Sequence, residues 1–288
     1  MKIVVIGAST GPGRVLYEQL CQSEEEIVGV ARQARGLPSE AGNARFVELD
    51  ASDPESLLEL IDDETTLIHC SRPELLTALL QQEPTVQRII AIGSTRIYTR
   101  FPDDKCSRLS EMVHTLRMGN TPATLLHPTM IYGAPGLQNV ERVAAFARRS
   151  PWIPLPEQGR ALIQPVHVDD VVAAITACLK NPDTDGDTVI LAGQAAVPYR
   201  KFIELCIEKS GQRCRVVSMP YLLMSIAALS TPLLPGLPNV TQNEIRRLLE
   251  DKQFDTSDMK ALLGREPIKL EDGLVLSSET CTSRPMRF

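Results

Sequence analysis

The aliphatic run Lys2-Ile3-Val4-Val5-Ile6 breaks at Gly7 into Gly7-Ala8-Ser9-Thr10-Gly11-Pro12-Gly13-Arg14, and a helical pattern follows at once. A glycine-rich turn held between an apolar strand and a helix is where backbone N–H groups can approach a diphosphate. Glycine permits the tight turn and the close approach, and the helix N-terminus favours the negative charge. Gly7, Ser9, Thr10, Gly11, Pro12, Gly13 and Arg14 are therefore candidate cofactor-binding residues, and the cofactor class is a nicotinamide dinucleotide.

The rest of the chain fits such a beginning. Further apolar runs at 26–32, 44–50, 65–70, 88–94 and 123–133 alternate with helical patterns near 14–22, from 54, at 73–82 and at 105–117. Strands alternating with helices imply βαβ units and a parallel sheet, and unbroken Val/Ile/Leu runs imply strands covered on both faces. The expected class is α/β: a Rossmann-type, doubly wound parallel sheet with a smaller C-terminal substrate lobe. Asp53 before Pro54 predicts a capped helix start, and Asp169 is expected to open a helix over 170–180. Prolines 135, 151, 154, 156 and 165 mark a change of pattern, with one helix over Val140 to Arg149 between them. Residues 1–133 and 165–195 are expected to form the dinucleotide-binding domain, and residues 134–164 and 196–288 the smaller lobe. The residues from Ser277 onward read as a loosely tied tail.

The end of the second strand speaks to the cofactor's ribose. An acidic residue there would accept from the ribose hydroxyls of NAD, but Val28-Gly29-Val30-Ala31 runs into Arg32, with Arg35 close behind and Arg14 able to reach the same place. Guanidinium groups suit a 2′-phosphate, so NADP is favoured over NAD. Asp50, after the third strand pattern, is a candidate adenine contact, or alternatively a helix cap beside Asp53.

Composition removes other classes. A net charge of -6 argues against general nucleic-acid binding. Seven cysteines without a CxxC pair suggest neither a zinc site nor a disulfide framework, and reduced thiols point to a cytoplasmic location. The N-terminus lacks the features of a signal peptide, and the most apolar window, Tyr221 to Leu237, is interrupted by Pro232 and Pro235. Neither export nor a membrane span is expected.

Four stretches, GASTGPGR, IGSTRIY, LHPTMIYG and PVHVDDVVAAI, lie in that order, and LEDKQFDTSDMKALLGREPIKLEDGL follows near the end. With its Gly-x3-Gly-x-Gly spacing, the chain resembles an extended or atypical short-chain dehydrogenase/reductase of the NAD-dependent epimerase/dehydratase type, which includes nucleotide-sugar epimerases. The resemblance implies a sheet of about seven parallel strands and a lobe closing over a small-molecule substrate. Many members also pair as homodimers through sheet-flanking helices, and the state of this chain is left open. Ser94 matches the family's catalytic serine. Pro128, Thr129 and Met130 match the loop near the nicotinamide. Asp169 and Asp170 match a segment whose implied role is helix capping and lobe packing.

One departure bears on the chemistry. The family's acid/base pair is Tyr-x3-Lys, and no tyrosine in this chain is followed four positions later by lysine. Counted back from Glu111, the lysine place falls on Ser107 and the tyrosine place on Asp103. A proton relay would have to come from another group such as Tyr98, Tyr132 or His114, and Tyr98 is the candidate carried forward with Ser94. Two functions stay open: an oxidoreductase or epimerase acting on a sugar-nucleotide or similar carbonyl or hydroxyl substrate, and a catalytically inactive dinucleotide-binding regulator or assembly factor.

Overall fold

The computed structural model describes residues 1–37, 40–134, 136–230 and 242–282. Strand β1 (Lys2–Ile6) leads into helix α1 (Gly11–Leu20), then β2 (Glu26–Ala31), the two-residue β3 (Glu40–Ala41), β4 (Ala44–Glu48), α2 (Pro54–Leu58), β5 (Thr65–His69) and α3 (Pro73–Leu80). Strand β6 (Arg88–Ile92), a 3-10 turn over Thr95–Tyr98, α4 (Asp104–Met118) and β7 (Ala123–Pro128) complete the first half.

The second half is less regular. It runs through β8 (Ile131–Tyr132), α5 (Gln138–Arg149), β9 (Trp152–Pro156), β10 (Leu162–Ile163), β11 (Val166–His167), α6 (Val168–Lys180) and β12 (Thr188–Leu191). It continues through β13 (Val197–Pro198), α7 (Tyr199–Lys209), β14 (Arg215–Met219), α8 (Tyr221–Ser230), α9 (Gln242–Arg247), α10 (Ser257–Leu263) and α11 (Leu270–Thr282).

The main sheet has the order β12-β7-β6-β5-β1-β2-β4-β3, and its strand pairs are parallel except for the edge pair β3–β4. The seven parallel strands wind outward in opposite directions from β1, so the order reverses between β1 and β5. A crevice for ligands lies at such a reversal, beyond the carboxyl ends of the strands.

Two-sided burial explains why the strands read as unbroken apolar runs. Alternate residues of β1 enter different cores: Ile3 and Val5 join Leu16 and Tyr17 of α1, Val171 and Ile175 of α6, and Met259 of α10. Val4 and Ile6 face the other way, against Leu76 and Leu79 of α3 and Met112 and Leu116 of α4. Each such aliphatic side chain taken fully out of water contributes about 2 kcal/mol, so charge is excluded from both faces. A third core joins Val143 and Ala147 of α5, Ile153 and Leu155 of β9, Phe202 and Ile203 of α7, and Leu270 and Leu274 of α11.

Local chemistry sets the helix starts. The Asp53 carboxylate accepts from the Ser56 N–H and Pro54 follows it, as expected. At α6 the cap is His167, whose Nδ1 accepts from Asp169 N at 3.3 Å. Asp169 therefore sits inside the first turn and does not cap it. Asp170 is fully buried, where its carboxylate pairs with Arg265 at 2.7 Å and accepts from Ile268 N at 2.7 Å. The segment before α11 is thereby anchored to the start of α6. From Ser277 the chain continues as helix to Thr282 rather than as a loose tail, with the Ser277 hydroxyl donating to Gly273 O at 2.7 Å.

Among the described residues no helix is long and apolar enough to cross a membrane. Of the apolar window, 221–230 is α8, while 231–237 lies outside the described residues, as does Pro135.

Replacing Arg265 with alanine leaves the Asp170 carboxylate buried with its charge unmatched. The expected cost is about 3 kcal/mol in urea unfolding. A loss under about 0.5 kcal/mol, the usual surface value, would show that the anchor carries no stability.

Candidate functional site

The turn after β1 lies at the strand-order reversal. Gly7 adopts φ 89°, where a side chain would be strained, and its N–H donates to Val30 O at 2.8 Å. A Cβ on Gly13 would lie 2.4 Å from Gly7 O, so α1 can pack this close to the strand only with glycine there. Thr10 occupies the N-cap of α1 without a side-chain cap bond, and the first turn carries no carboxylate. The uncapped N–H groups and the positive end of the helix dipole suit an anion. Ser9, Gly11, Pro12 and Gly13 are buried in this turn.

Three arginines gather at the neighbouring end of β2. Arg14 is held by Glu18, Nε to Oε1 at 3.1 Å, and its Nη1 donates to Arg35 O at 3.1 Å. Arg32 follows the last residue of β2 and is exposed, as is Arg35. Glu48 Oε1 accepts from Ala34 N at 2.8 Å and shapes the loop that carries them. Asp50 lies two residues beyond β4, where its carboxylate accepts from Ser52 N at 3.0 Å. The Ser52 backbone and side chain, with Arg32 and Arg72 nearby, hold its carboxyl below the usual range against some desolvation.

At the end of β6, Ser94 caps the 3-10 turn, its hydroxyl accepting from Arg96 N at 3.2 Å. Its own N–H donates to His127 Nδ1 at 3.1 Å. Burial, with Arg117 at longer range, pushes His127 down to about 4, so the ring is neutral and its Nδ1 is free to accept. Tyr98 is 50% exposed and lies edge-on to His127, with ring centroids 6.0 Å apart. Thr95 Oγ1 donates to Pro128 O at 3.3 Å, Thr129 N to Leu191 O at 2.8 Å, and Val166 N to Met130 O at 3.0 Å. The loop 128–130 thus joins β7 to β12, to the Ser94 turn and to the second half of the chain.

Asp103 forms the N-cap of α4, accepting from Cys106 N at 3.0 Å. It also receives both arms of Arg96, at 3.1 and 2.7 Å. Desolvation works against its charge, but the Cys106 N–H and Arg96 outweigh it and hold the carboxyl below the usual range. The Arg96 partnership was missed in the sequence because a spacing of seven across a loop has no periodic signature.

A strap from the C-terminal part crosses this region. Glu250 accepts from Thr99 Oγ1 at 2.8 Å and from Arg100 N, and Phe254 packs on Tyr98 with centroids 6.1 Å apart. Between them, Lys252 Nζ donates to Arg247 O at 2.6 Å. Among the described residues no group of three or more His, Cys, Asp or Glu could hold a metal ion.

The buried histidines make stability depend on pH. Burial drives His69, like His127, down to about 4, despite the Arg72 carbonyl beside it. An unfolded chain takes up these protons near pH 6.5, and the folded one only near 4. The stabilisation is therefore complete above pH 6.5 and is lost as pH falls toward 4, each ring costing about 1.4 kcal/mol per pH unit across that window. Urea midpoints measured at pH 7.5, 6.0 and 5.0 should fall steadily. A flat profile would contradict neutral, buried rings.

No protein-family model matches the chain. It is 25% identical to the uncharacterized protein YbjS of Escherichia coli (strain K12), with 95% of this chain and 96% of that protein covered. Among solved structures it is similar to a UDP-glucuronic acid 4-epimerase from Bacillus cereus in complex with UDP-glucuronic acid and NAD, at 16% identity and TM-score 0.71, covering 98% and 99% of the two chains. A UDP-glucose 4-epimerase from Thermotoga maritima with UDP-glucose matches at 17% identity and TM-score 0.72, again over 98% and 99%. A nucleoside-diphosphate-sugar epimerase from Staphylococcus aureus matches at 19% and 0.73, over 95% and 99%. The chain therefore has the fold of these nucleotide-sugar epimerases, a Rossmann-type fold.

Proposed function

We propose that this protein binds a nicotinamide dinucleotide and acts as an NADP-dependent oxidoreductase or epimerase on a sugar-nucleotide or related carbonyl or hydroxyl substrate. The observation that carries this reading is the placement of the Gly7–Gly13 turn and of Ser94 beyond the carboxyl ends of β1 and β6, at the same edge of the sheet and flanking the strand reversal. The residues present fit the cofactor, since a Cβ at Gly13 would fill the close approach and the first turn of α1 offers N–H groups with no competing carboxylate.

When bound, the dinucleotide supplies hydride chemistry at its nicotinamide, and the chain need only bind, orient and polarise. The turn would hold the diphosphate, and Arg14, Arg32 and Arg35 would take the 2′-phosphate. Pro128, Thr129 and Met130 would border the nicotinamide. The Ser94 hydroxyl would orient the substrate oxygen. The absence of a carboxylate directly after β2 supports NADP, in contrast to the NAD named with the Bacillus cereus epimerase.

A second reading, a dinucleotide-binding regulator or assembly factor without turnover, is favoured by Asp103 standing in an ion pair at the tyrosine place. Calorimetric titration of NADPH and NADH separates the claims about binding. Arg32→Asp should weaken NADPH at least about tenfold, a loss of 1.4 kcal/mol, and leave NADH nearly unchanged. Equal loss of both, or of neither, contradicts the 2′-phosphate assignment. Substrate-dependent consumption of NADPH that falls in Ser94→Ala would decide for the enzyme.

A further inference from the structure

Tyr98 packs between the rings of His127 and Phe254, and the other groups around Ser94 are already engaged. Asp103 is committed to Arg96 and to the cap of α4. His127 is neutral, with its Nδ1 already receiving Ser94 N. The Ser94 hydroxyl orients but has no base bonded to it, since its partner is Arg96 N.

The strap over this loop is pinned on both sides. Glu250 binds Thr99 and Arg100, and Phe254 rests on Tyr98. On the other side Asp251 accepts from Leu162 N at 2.8 Å, Lys252 N donates to Leu162 O at 2.8 Å, and Phe254 N donates to Gln164 Oε1 at 2.9 Å. Gln164 O in turn receives Thr129 Oγ1, from the loop beside the nicotinamide place. Residues 250–254 thus bridge the Ser94 loop and the 162–164 segment, which Gln164 ties to Thr129, and the central one of the five is a lysine.

We propose that Lys252 is the acid/base residue of this site, an amine carried on the strap that exchanges a proton with the substrate oxygen in place of the missing tyrosine. The proposal rests on the NADP-dependent reading above. In the reducing direction the dinucleotide, when bound, would supply a hydride to the carbonyl carbon, with the carbonyl π pair going to oxygen. The Lys252 ammonium gives that oxygen a proton and becomes the neutral amine, which solvent reprotonates. Oxidation of an alcohol runs the same transfers in reverse.

The surroundings suit the task. Half-burial and the Arg247 charge disfavour the ammonium, Arg96 adds to them, and Glu250 opposes them, leaving Lys252 pushed down to about 8. An acid/base group works best with a pKa near the working pH. Lys252 Nζ spends one hydrogen on Arg247 O and keeps its other two for a substrate oxygen or water.

Two measurements on the full-length protein test this. Trace acetylation with acetic anhydride from pH 6 to 11, read by peptide mass spectrometry, should give Lys252 a midpoint near 8. Reduction of the carbonyl probe 9,10-phenanthrenequinone by NADPH should lose its rate above that midpoint. In Lys252→Met kcat should fall about 100-fold with NADPH affinity unchanged. Lys252 titrating with ordinary lysines near 10.4 overturns the proposal. So does an unchanged kcat in Lys252→Met, or a wild type that binds NADPH yet leaves the probe unreduced. A wild type that fails to bind NADPH overturns the underlying reading instead, and the proposal falls with it.

Discussion

Burial of β1 on both faces is the constraint on which the rest depends. With Ile3 and Val5 in one core and Val4 and Ile6 in the other, the strand can neither slip nor rotate without moving aliphatic groups into the wrong layer. The Gly7 turn is consequently delivered to one place, between the diverging halves of the sheet, and α1 leaves it with its N-terminus pointing into the crevice. The proposed anion site would follow from backbone geometry more than from any side chain. For that reason Gly7 and Gly13 matter there through what they lack.

The second determinant is how the C-terminal third returns to that crevice. Asp170 at the start of α6 holds Arg265 and Ile268, and Glu250 holds the loop after Ser94. Both contacts put a carboxylate on one element and its partners far away in sequence, 151 positions apart in the case of Thr99 and Glu250. Such contacts settle where the strap lies. They also gather charge near the Arg96–Asp103 pair that no single segment announces, from Arg247, Glu250 and Lys252.

These two determinants explain what could be read from the chain alone. The alternation of apolar runs and helices, the capping by Asp53 and the glycine turn were legible because each is a local pattern with a fixed period or spacing. The capping of α6 was not, because a histidine accepting through Nδ1 must be neutral, and only its burial makes it so. The continuation of α11 past Ser277 was equally hidden, since that helix is seated by a close approach at Gly273 to a residue far away in sequence. In the fold the missing side chain of Gly273 admits the ring of Tyr132. The lack of a tyrosine followed four positions later by lysine was plain in the sequence, while the Arg96–Asp103 pair needed three dimensions.

The most direct test of a dinucleotide site built on the Gly7 turn is native mass spectrometry of the purified protein with NADPH, comparing wild type and Gly13→Ala. One dinucleotide per wild-type chain is expected, and its loss in Gly13→Ala, whose far-UV circular dichroism stays that of the folded protein. A wild type that carries no dinucleotide, or a folded Gly13→Ala that carries it equally well, would contradict such a site.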